Sequence, residues 1–393
     1  MRCNIIKIFT LFLALSHFST VAEDLEFSGY VRVIGGYLDE ERAKYKGYDD
    51  NVNFEPASLM GLQADYYLNE QWSVTGQVVA RAGNSSPSKT SGLEWLYVTY
   101  RPIDTLQVKV GKLRAPFFAM SDFSNVGFAY PWVNLPQQVY DTFMFDTFNG
   151  IDVIYKLAMD KFDVSIEGYF GEETGEIEIG NNVTSFEANN LMGLIGKFNF
   201  DNFEFRAAKY NTDLNLQINA LRQLYTQLNQ LGFEKSANSI ETHGSAYAEQ
   251  VSIFYDNLDY FLRAEWVKIK TDLSFVPEIQ SYYLTAGFNY KHFTYHLTFG
   301  DSDVKIGTPV DEIDPSLDKL AMNYQYIFNT SEPDALQTWT IGARWDFMDR
   351  LALKVEFSKL VGGKGPNSFF TLEEGADFDR QANLYLIGLD WVF

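Results

Sequence analysis

The chain has almost no cysteine. Among its 393 residues only Cys3 is one, and it lies in an N-terminal segment that has a basic start, an apolar run over residues 8–15 and small residues at Thr20 and Ala22. We predict that residues 1–22 are a signal peptide cleaved after Ala22, since the run is too short to anchor the chain across a bilayer. The exported chain then lacks disulfides, a thiolate nucleophile and any Cys-bound metal.

Basic residues are also scarce, at 31 Lys and Arg against 52 Asp and Glu, which gives a formal charge of −21. Nucleic acid is therefore excluded as a partner, because phosphate contacts need clustered cations. No later run is long and apolar enough for a transmembrane helix. Yet 16% of residues are aromatic while the mean hydropathy is −0.18. A transmembrane β-barrel has both properties, since only the lipid-facing half of each strand must be apolar.

Signatures of catalysis are missing as well. The chain has only four histidines, and it carries no HExxH, phosphate-binding glycine loop or Gly-x-Ser-x-Gly motif. His292 and His296 share a strand face, but four residues along a strand separate them by about 13 Å, too far for one metal ion. We therefore predict no enzyme activity, no cofactor and no metal.

The most informative segment is the C-terminal one, residues 384–393. Alternate residues of a strand point to opposite faces. One face here is continuously apolar and aromatic, made of Tyr385, Ile387, Leu389, Trp391 and Phe393. The other face carries Leu384, Leu386, Gly388, Asp390 and Val392. This pattern is typical of a transmembrane β-barrel strand, whose outer face contacts lipid.

Gly388-x-x-Trp391-x-Phe393 resembles the C-terminal signal by which bacterial outer-membrane proteins are recognised for barrel assembly. The family pattern prefers a polar residue two places before the glycine, where this chain has Leu386. The resemblance implies location in the bacterial outer membrane and the barrel-assembly machinery as a partner. Outer-membrane lipid and lipopolysaccharide would then surround the barrel.

Similar alternating segments recur along the chain. A clear hairpin turns at residues 348–350, with Trp339, Ile341 and Trp345 on the apolar face of its first strand. The fold class is predicted as all-β: an antiparallel transmembrane barrel of about sixteen strands, built by residues 23–393 as one domain. We place the strands near residues 25–37, 57–67, 72–82, 93–101, 105–113, 150–157, 161–170, 189–200, 202–211, 245–256, 259–270, 279–290, 292–300, 336–347, 350–360 and 381–393.

Alternation stops between residues 114 and 149, after the fifth predicted strand. The segment is rich in Phe, Tyr, Trp and Pro. An irregular loop of this length is usually functional, and so many exposed aromatics would invite aggregation. We predict that it folds into the barrel as a constriction loop, carrying Arg114, Asp122, Asp141 and Asp146.

That position matches the constriction loop of Gram-negative outer-membrane porins. The block from Gly111 to Phe118 and Ala129 to Val133 resembles porins of marine gammaproteobacteria, which are distantly related to phosphate-selective porins. The resemblance implies a water-filled channel for passive diffusion of small hydrophilic solutes and ions, and it alone implies a homotrimer.

Parity places five basic residues on lumen faces: Arg32, Arg81, Lys109, Arg344 and Lys354. Strands 1, 3, 14 and 15 become neighbours when the barrel closes, so we expect a basic wall there. The loop aspartates would form the opposing acidic side, and such a pair of charged sides filters solutes by charge. Each residue is equally open to a structural reading as a wall-to-loop salt bridge or a solvated lumen group.

Other connections are acidic, for example 39–41, 49–50 and 311–318, which weakly favours cations or little ionic preference. Residues 214–231 have helical spacing, which predicts a helix at the rim or in the lumen. Two alternatives to a porin stay open: a surface adhesin or structural barrel, and an outer-membrane hydrolase with a rim site.

Overall fold

A computed structural model describes residues 24–83, 90–179, 182–314, 316–331, 335–363, 369–372 and 377–393. The predicted signal peptide, residues 1–22, lies outside the described residues. Within the described part of the chain, no helix combines the length and hydropathy needed to cross a membrane.

Sixteen antiparallel strands form one closed barrel, which confirms the predicted fold class. Each strand pairs with the next along the chain, and the last pairs with the first. Numbered around the barrel, they are β1 (Leu25–Leu38), β2 (Leu59–Tyr67), β3 (Trp72–Arg81), β4 (Gly92–Ile103), β5 (Leu106–Arg114), β6 (Thr147–Ala158), β7 (Phe162–Ile179), β8 (Asn182–Phe200), β9 (Phe203–Leu216), β10 (His243–Asp256), β11 (Tyr260–Thr271), β12 (Glu278–Tyr290), β13 (Phe293–Lys305), β14 (Leu336–Met348), β15 (Leu351–Gly362) and β16 (Gln381–Val392).

The two ends of the barrel differ. Seven short turns lie at the end where β1 begins and β16 ends, which we call the turn end. The longer connections lie at the opposite end, the loop end, where only β7 and β8 are separated by as few residues as at the turn end. Even strand number and short hairpins explain why both ends of the strand array meet at the turn end.

Side chains alternate across the barrel wall as the sequence predicts. On β14, Trp339 and Ile341 lie on the outer surface and are 49% and 59% exposed, whereas Thr338 lies on the inner face of the same strand and is 8% exposed. On β16, Tyr385, Ile387 and Leu389 point outward, while Leu384, Leu386 and Asp390 are buried inside. The outer belt is thus apolar and the inner wall largely polar.

In the described part of the chain, four helices lie in connections that leave the strands at the loop end: α1 (Gln137–Tyr140), α2 (Asn219–Gln230), α3 (Glu234–Asn238) and α4 (Asp318–Ser331). The helix predicted over residues 214–231 is right for α2 but wrong at its start, because Leu214 and Leu216 end β9 and pair with β8 and β10. The prediction began too early because the apolar residues at the end of the strand happen to fit the helical spacing of the apolar residues in α2.

Two apolar clusters divide the barrel interior. The larger cluster fills the side formed by β6–β12 with aromatic residues such as Phe148, Tyr169, Tyr210 and Tyr283, and it extends into α2 and α4. The smaller one, which we call the seam cluster, lies against the β1–β16 pair and includes Ile34, Leu384 and Leu386. A cavity lies beside these clusters on the side of β1–β5.

The lipid-facing assignment predicts a depth-dependent cost of charge. Ile341→Arg places a cation in the middle of the outer belt, and we expect folding into lipid vesicles to weaken by about 2–4 kcal/mol, measured by urea titration. Leu258→Arg is the matched control, because Leu258 lies in the β10–β11 turn and is 82% exposed. Equal losses in the two variants would contradict the assignment.

Candidate functional site

The segment between β5 and β6, residues 115–146, folds into the barrel; we call it the inner loop. It contains two 3₁₀ turns, Ser121–Phe123 and Gly127–Ala129, followed by α1. Its aromatic residues join the large cluster: Phe117 stacks on Phe143 at 3.9 Å between ring centroids and meets Tyr210 edge-on at 5.5 Å. Burial of these rings explains why an irregular segment so rich in aromatics is stable inside the barrel.

An irregular segment leaves many backbone carbonyls without partners, and the barrel wall supplies them. The ammonium of Lys354 donates to the carbonyl oxygens of Gly127, Tyr130 and Trp132 at 2.6, 2.8 and 2.9 Å. It also lies 2.9 Å from an Asp390 carboxylate oxygen. Lys354 is only 1% exposed, so its cation is surrounded by oxygen rather than water.

Two further cations hold the same stretch. The Arg344 guanidinium donates to the carbonyl of Phe128 at 2.6 Å and to that of Tyr130 at 3.1 Å. Arg32 donates to the Val133 carbonyl and to Asp390, the latter at 3.0 Å. The basic residues on neighbouring strands therefore meet here, but their loop partners are carbonyl oxygens rather than the aspartates expected from sequence.

Acidic wall residues complete the attachment by accepting from the loop. Glu265 accepts from the Ala119 amide at 2.9 Å and from the Tyr140 hydroxyl at 2.7 Å. Glu356 accepts from the Val133 amide at 2.8 Å. Burial and the Glu265 carboxylate raise the pKa of Tyr140 well above its usual value, so this phenol remains a donor.

On β3 and β5, Arg81 and Arg114 share one carboxylate. Glu94 lies 3.3 Å from Arg81 and 2.7 Å from Arg114, and it also accepts from Asn125 of the inner loop at 2.9 Å. A register shift after Gln77 leaves Glu94 as the extra residue of a β-bulge, which turns it inward beside Trp95.

The remaining predicted residues are spread around the lumen. Lys109 lies 3.4 Å from Asp152 on β6. The exposed Asp122 of the inner loop is close enough to attract the Lys109 ammonium electrostatically. Asp141 pairs with Lys46 at 3.2 Å, and Asp146 lies 3.6 Å from Arg114. The loop aspartates thus stand near three separate cations and do not form one acidic side.

A cavity of about 700 Å³ lies between the inner loop and the wall of β1–β5. Its charged lining consists of Arg32, Lys46, Glu55, Arg81, Arg114, Asp141 and Asp146. Lining residues from the connections at the loop end, such as Asn53 and Thr371, show that it extends to that end. It is the polar interior space left beside the inner loop.

Toward the turn end the same wall stays polar. Gln77 donates to Gln63 at 3.1 Å, Gln63 donates to Asp65 at 2.8 Å, and Thr75 donates to Asp65 at 2.6 Å. Gln63 and Asp65 are half-buried. Hydrogen-bonding groups therefore line β2 and β3 both beside the cavity and beyond it.

The residues of the C-terminal motif have visible packing roles. Gly388 faces inward, where a Cβ would lie 3.3 Å from Val133 of the inner loop. The Trp391 and Phe393 rings lie 4.6 Å apart. Phe393 exchanges two backbone hydrogen bonds of 3.0 Å with Gly29 of β1.

Sequence reasoning missed Glu94, Arg206, Glu265, Glu356 and Asp390. All but Glu94 lie on inward faces by parity. Inclusion of acidic residues would have found Glu265, Glu356 and Asp390, and the parity rule applied to β9 would have found the basic Arg206. Arg206, for example, donates to the carbonyls of Pro116 and Phe117. Among the described residues, no group of three or more His, Cys, Asp or Glu side chains is placed to hold a metal ion.

No protein-family model and no curated protein sequence matches the chain. Its fold is similar to that of OmpT, an outer membrane protein of Vibrio cholerae, with a TM-score of 0.55 and 11% identity over 95% of this chain and 99% of that one. The outer membrane channel DcaP of Acinetobacter baumannii gives 0.54 and 12% over 94% and 97%. The anion-selective porin from Comamonas acidovorans gives 0.53 and 12% over 94% and 99%. At such identities the likeness establishes the fold of outer-membrane porins.

The attachment of the inner loop predicts the effect of Glu265→Ala. This change leaves the Ala119 amide and the Tyr140 hydroxyl without their buried acceptor, and each unsatisfied group costs about 1–3 kcal/mol. We expect urea unfolding to show a clear loss of unfolding free energy. We also expect the amide hydrogens of the inner loop to exchange faster with solvent. Glu70→Ala is the control: Glu70 lies in the β2–β3 turn and is exposed, so its removal should change stability by less than about 0.5 kcal/mol.

Proposed function

We propose that the protein is a porin of a Gram-negative outer membrane that lets small hydrophilic solutes and ions diffuse passively through its barrel. The observation that carries the proposal is the charged cavity beside the inner loop, which remains while apolar side chains fill the other half of the barrel. Transport of this kind needs a wet, charged passage and no chemical step. The proposal therefore assigns no catalytic role.

Solutes would enter the cavity from the loop end, pass Arg81 and Arg114, and leave along the polar wall of Gln63, Asp65 and Thr75. The inner loop narrows this path because it is fixed to the wall on its other side. Arg32 and Lys354 are buried beneath the loop, so in this proposal they hold the constriction in place. Arg81, Arg114, Asp141 and Asp146 line the passage and filter solutes by charge.

The proposal includes the cellular setting. Residues 1–22 would direct export and be removed after Ala22, and Gly388, Trp391 and Phe393 would be read by the barrel-assembly machinery. The outer belt would contact outer-membrane lipid and lipopolysaccharide, with the loop end outward. We also propose a more specific relation, to porins of marine gammaproteobacteria that are distantly related to phosphate-selective porins. It rests on the sequence block from Gly111 to Phe118 and Ala129 to Val133.

A homotrimer is part of the same proposal. OmpT of Vibrio cholerae, to which this fold is similar, has been described in a trimer form. Chemical crosslinking of the protein in native membranes would test this part alone: bands of three chains support it, and a single-chain band argues against it.

Single-channel recording of the refolded protein in a planar bilayer tests the central proposal. We expect discrete steps of current that are proportional to voltage. The reversal potential under a salt gradient reports the ionic preference. Well-folded barrels that give no conductance would contradict a porin and leave the adhesin, structural-barrel and hydrolase alternatives.

A charge change in the passage predicts a shift in selectivity. Arg81→Ala removes a cation from the cavity, and a change of roughly 1 kcal/mol in its electrostatics corresponds to about a fivefold shift of the permeability ratio toward cations. Lys209→Ala is the matched control, since Lys209 lies on the outer surface. An unchanged reversal potential in Arg81→Ala would show that ions do not pass this residue.

A further inference from the structure

The barrel closes where β1 meets β16, and this pair, the seam, has unusual support from inside. The seam joins strands 358 residues apart in sequence through the Arg32–Asp390 ion pair, whose two residues are direct register partners. Backbone bonds between Gly29 and Phe393 end it at the turn end. No turn connects the two strands, so side chains and backbone pairing alone keep them together.

The inner face of the seam is apolar above that ion pair. Ile34 and Leu38 of β1 and Leu384 and Leu386 of β16 all point inward and are at most 6% exposed. Apolar residues facing the lumen need a cover that excludes water. Val133 of the inner loop belongs to this seam cluster and is fully buried in it.

Nearer the loop end, the connections on the two sides of the seam are joined to each other. The short strand Ala43–Tyr45 follows β1, the short strand Phe370–Leu372 precedes β16, and the two pair as a small antiparallel sheet. Their residues Tyr45 and Phe370 belong to the seam cluster. The small sheet covers the inner face of the seam nearer the loop end, and the inner loop covers the part below it, nearer the Arg32–Asp390 ion pair.

The inner loop crosses the seam with charged contacts on both sides. Its stretch 127–133 accepts from Arg32 of β1 and from Lys354 of β15, and Asp390 of β16 lies between these two cations. The fit is close, because a Cβ on Gly127 would collide with both Asp390 and Arg32. One stretch of loop thus contacts the strands on both sides of the closure and the ion pair that spans it.

From this arrangement we infer that the inner loop is an internal staple of the seam: its docking holds β1 and β16 together, and its displacement lets the barrel open there first. This role concerns stability and assembly and is independent of conduction. It gives Gly127, Lys354 and Asp390 a purpose that selectivity does not require.

The test uses the lack of cysteine in residues 23–393, which allows engineered thiols to be the only ones. Gly127→Val should displace the loop, and we expect urea unfolding in vesicles to become about tenfold faster. A seam disulfide is then added as Val33→Cys with Leu389→Cys, register partners on the outer face. A control disulfide, Ala207→Cys with Val251→Cys, joins register partners on β9 and β10 away from the seam. Register partners lie within the Cα separation that a disulfide needs.

The expected result is that the seam disulfide removes most of the tenfold difference between Gly127→Val and its parent, while the control disulfide leaves it unchanged. Reduction of the seam disulfide should restore the difference. Equal effects of the two disulfides, or no effect of the seam disulfide, would overturn the inference. If Gly127→Val gives no folded barrel, the same comparison with Lys354→Gln decides it, since this change removes three loop bonds without adding bulk.

Discussion

The structure depends on satisfying the backbone of an irregular segment inside a barrel. A strand gives its amide and carbonyl groups to its neighbours, but residues 115–146 have no such neighbours, and buried polar groups without partners are costly. The barrel wall supplies these partners with side chains of both charges. Lys354, Arg344 and Arg32 donate to loop carbonyls, while Glu265 and Glu356 accept from loop amides. This pairing of loop backbone with wall side chains fixes where the inner loop lies. The position of the loop in turn determines where the cavity remains and which strands of the seam it contacts.

The barrel interior is asymmetric as a result. The aromatic side of the inner loop packs on β6–β12, where helices at the loop end extend the same cluster. The polar side faces β1–β5, where Glu94 pairs with both Arg81 and Arg114, and Arg114 also lies near Asp146 of the loop. A long irregular segment can therefore both plug one half of a barrel and shape a passage in the other half.

Much of this fold was predictable because period-two alternation is a local signal. All sixteen strands were located, and most bounds were right within three residues. At the loop end, however, β7 extends nine residues beyond its predicted end, β8 begins seven residues earlier than predicted, and β9 and β13 each extend five residues further. The break in alternation after the fifth strand located the inner loop. Partner identity was not predictable, since it depends on the height of each residue along the barrel and on the path of the loop. Glu94 shows the limit clearly: simple parity groups it with Leu96 and Val98 on the outer face, and only the bulge turns it inward.

The oxygen cage around Lys354 has a consequence for how the protein meets a changing environment. Three carbonyls and a carboxylate at 2.6–2.9 Å form the kind of coordination shell that a channel offers to a dehydrated alkali ion, yet here the occupant is covalently tethered. A free ion would be lost by dilution and replaced by others in brine. A tethered ammonium is present at a fixed stoichiometry in both, so the loop carbonyls need no ion from solution to bind to.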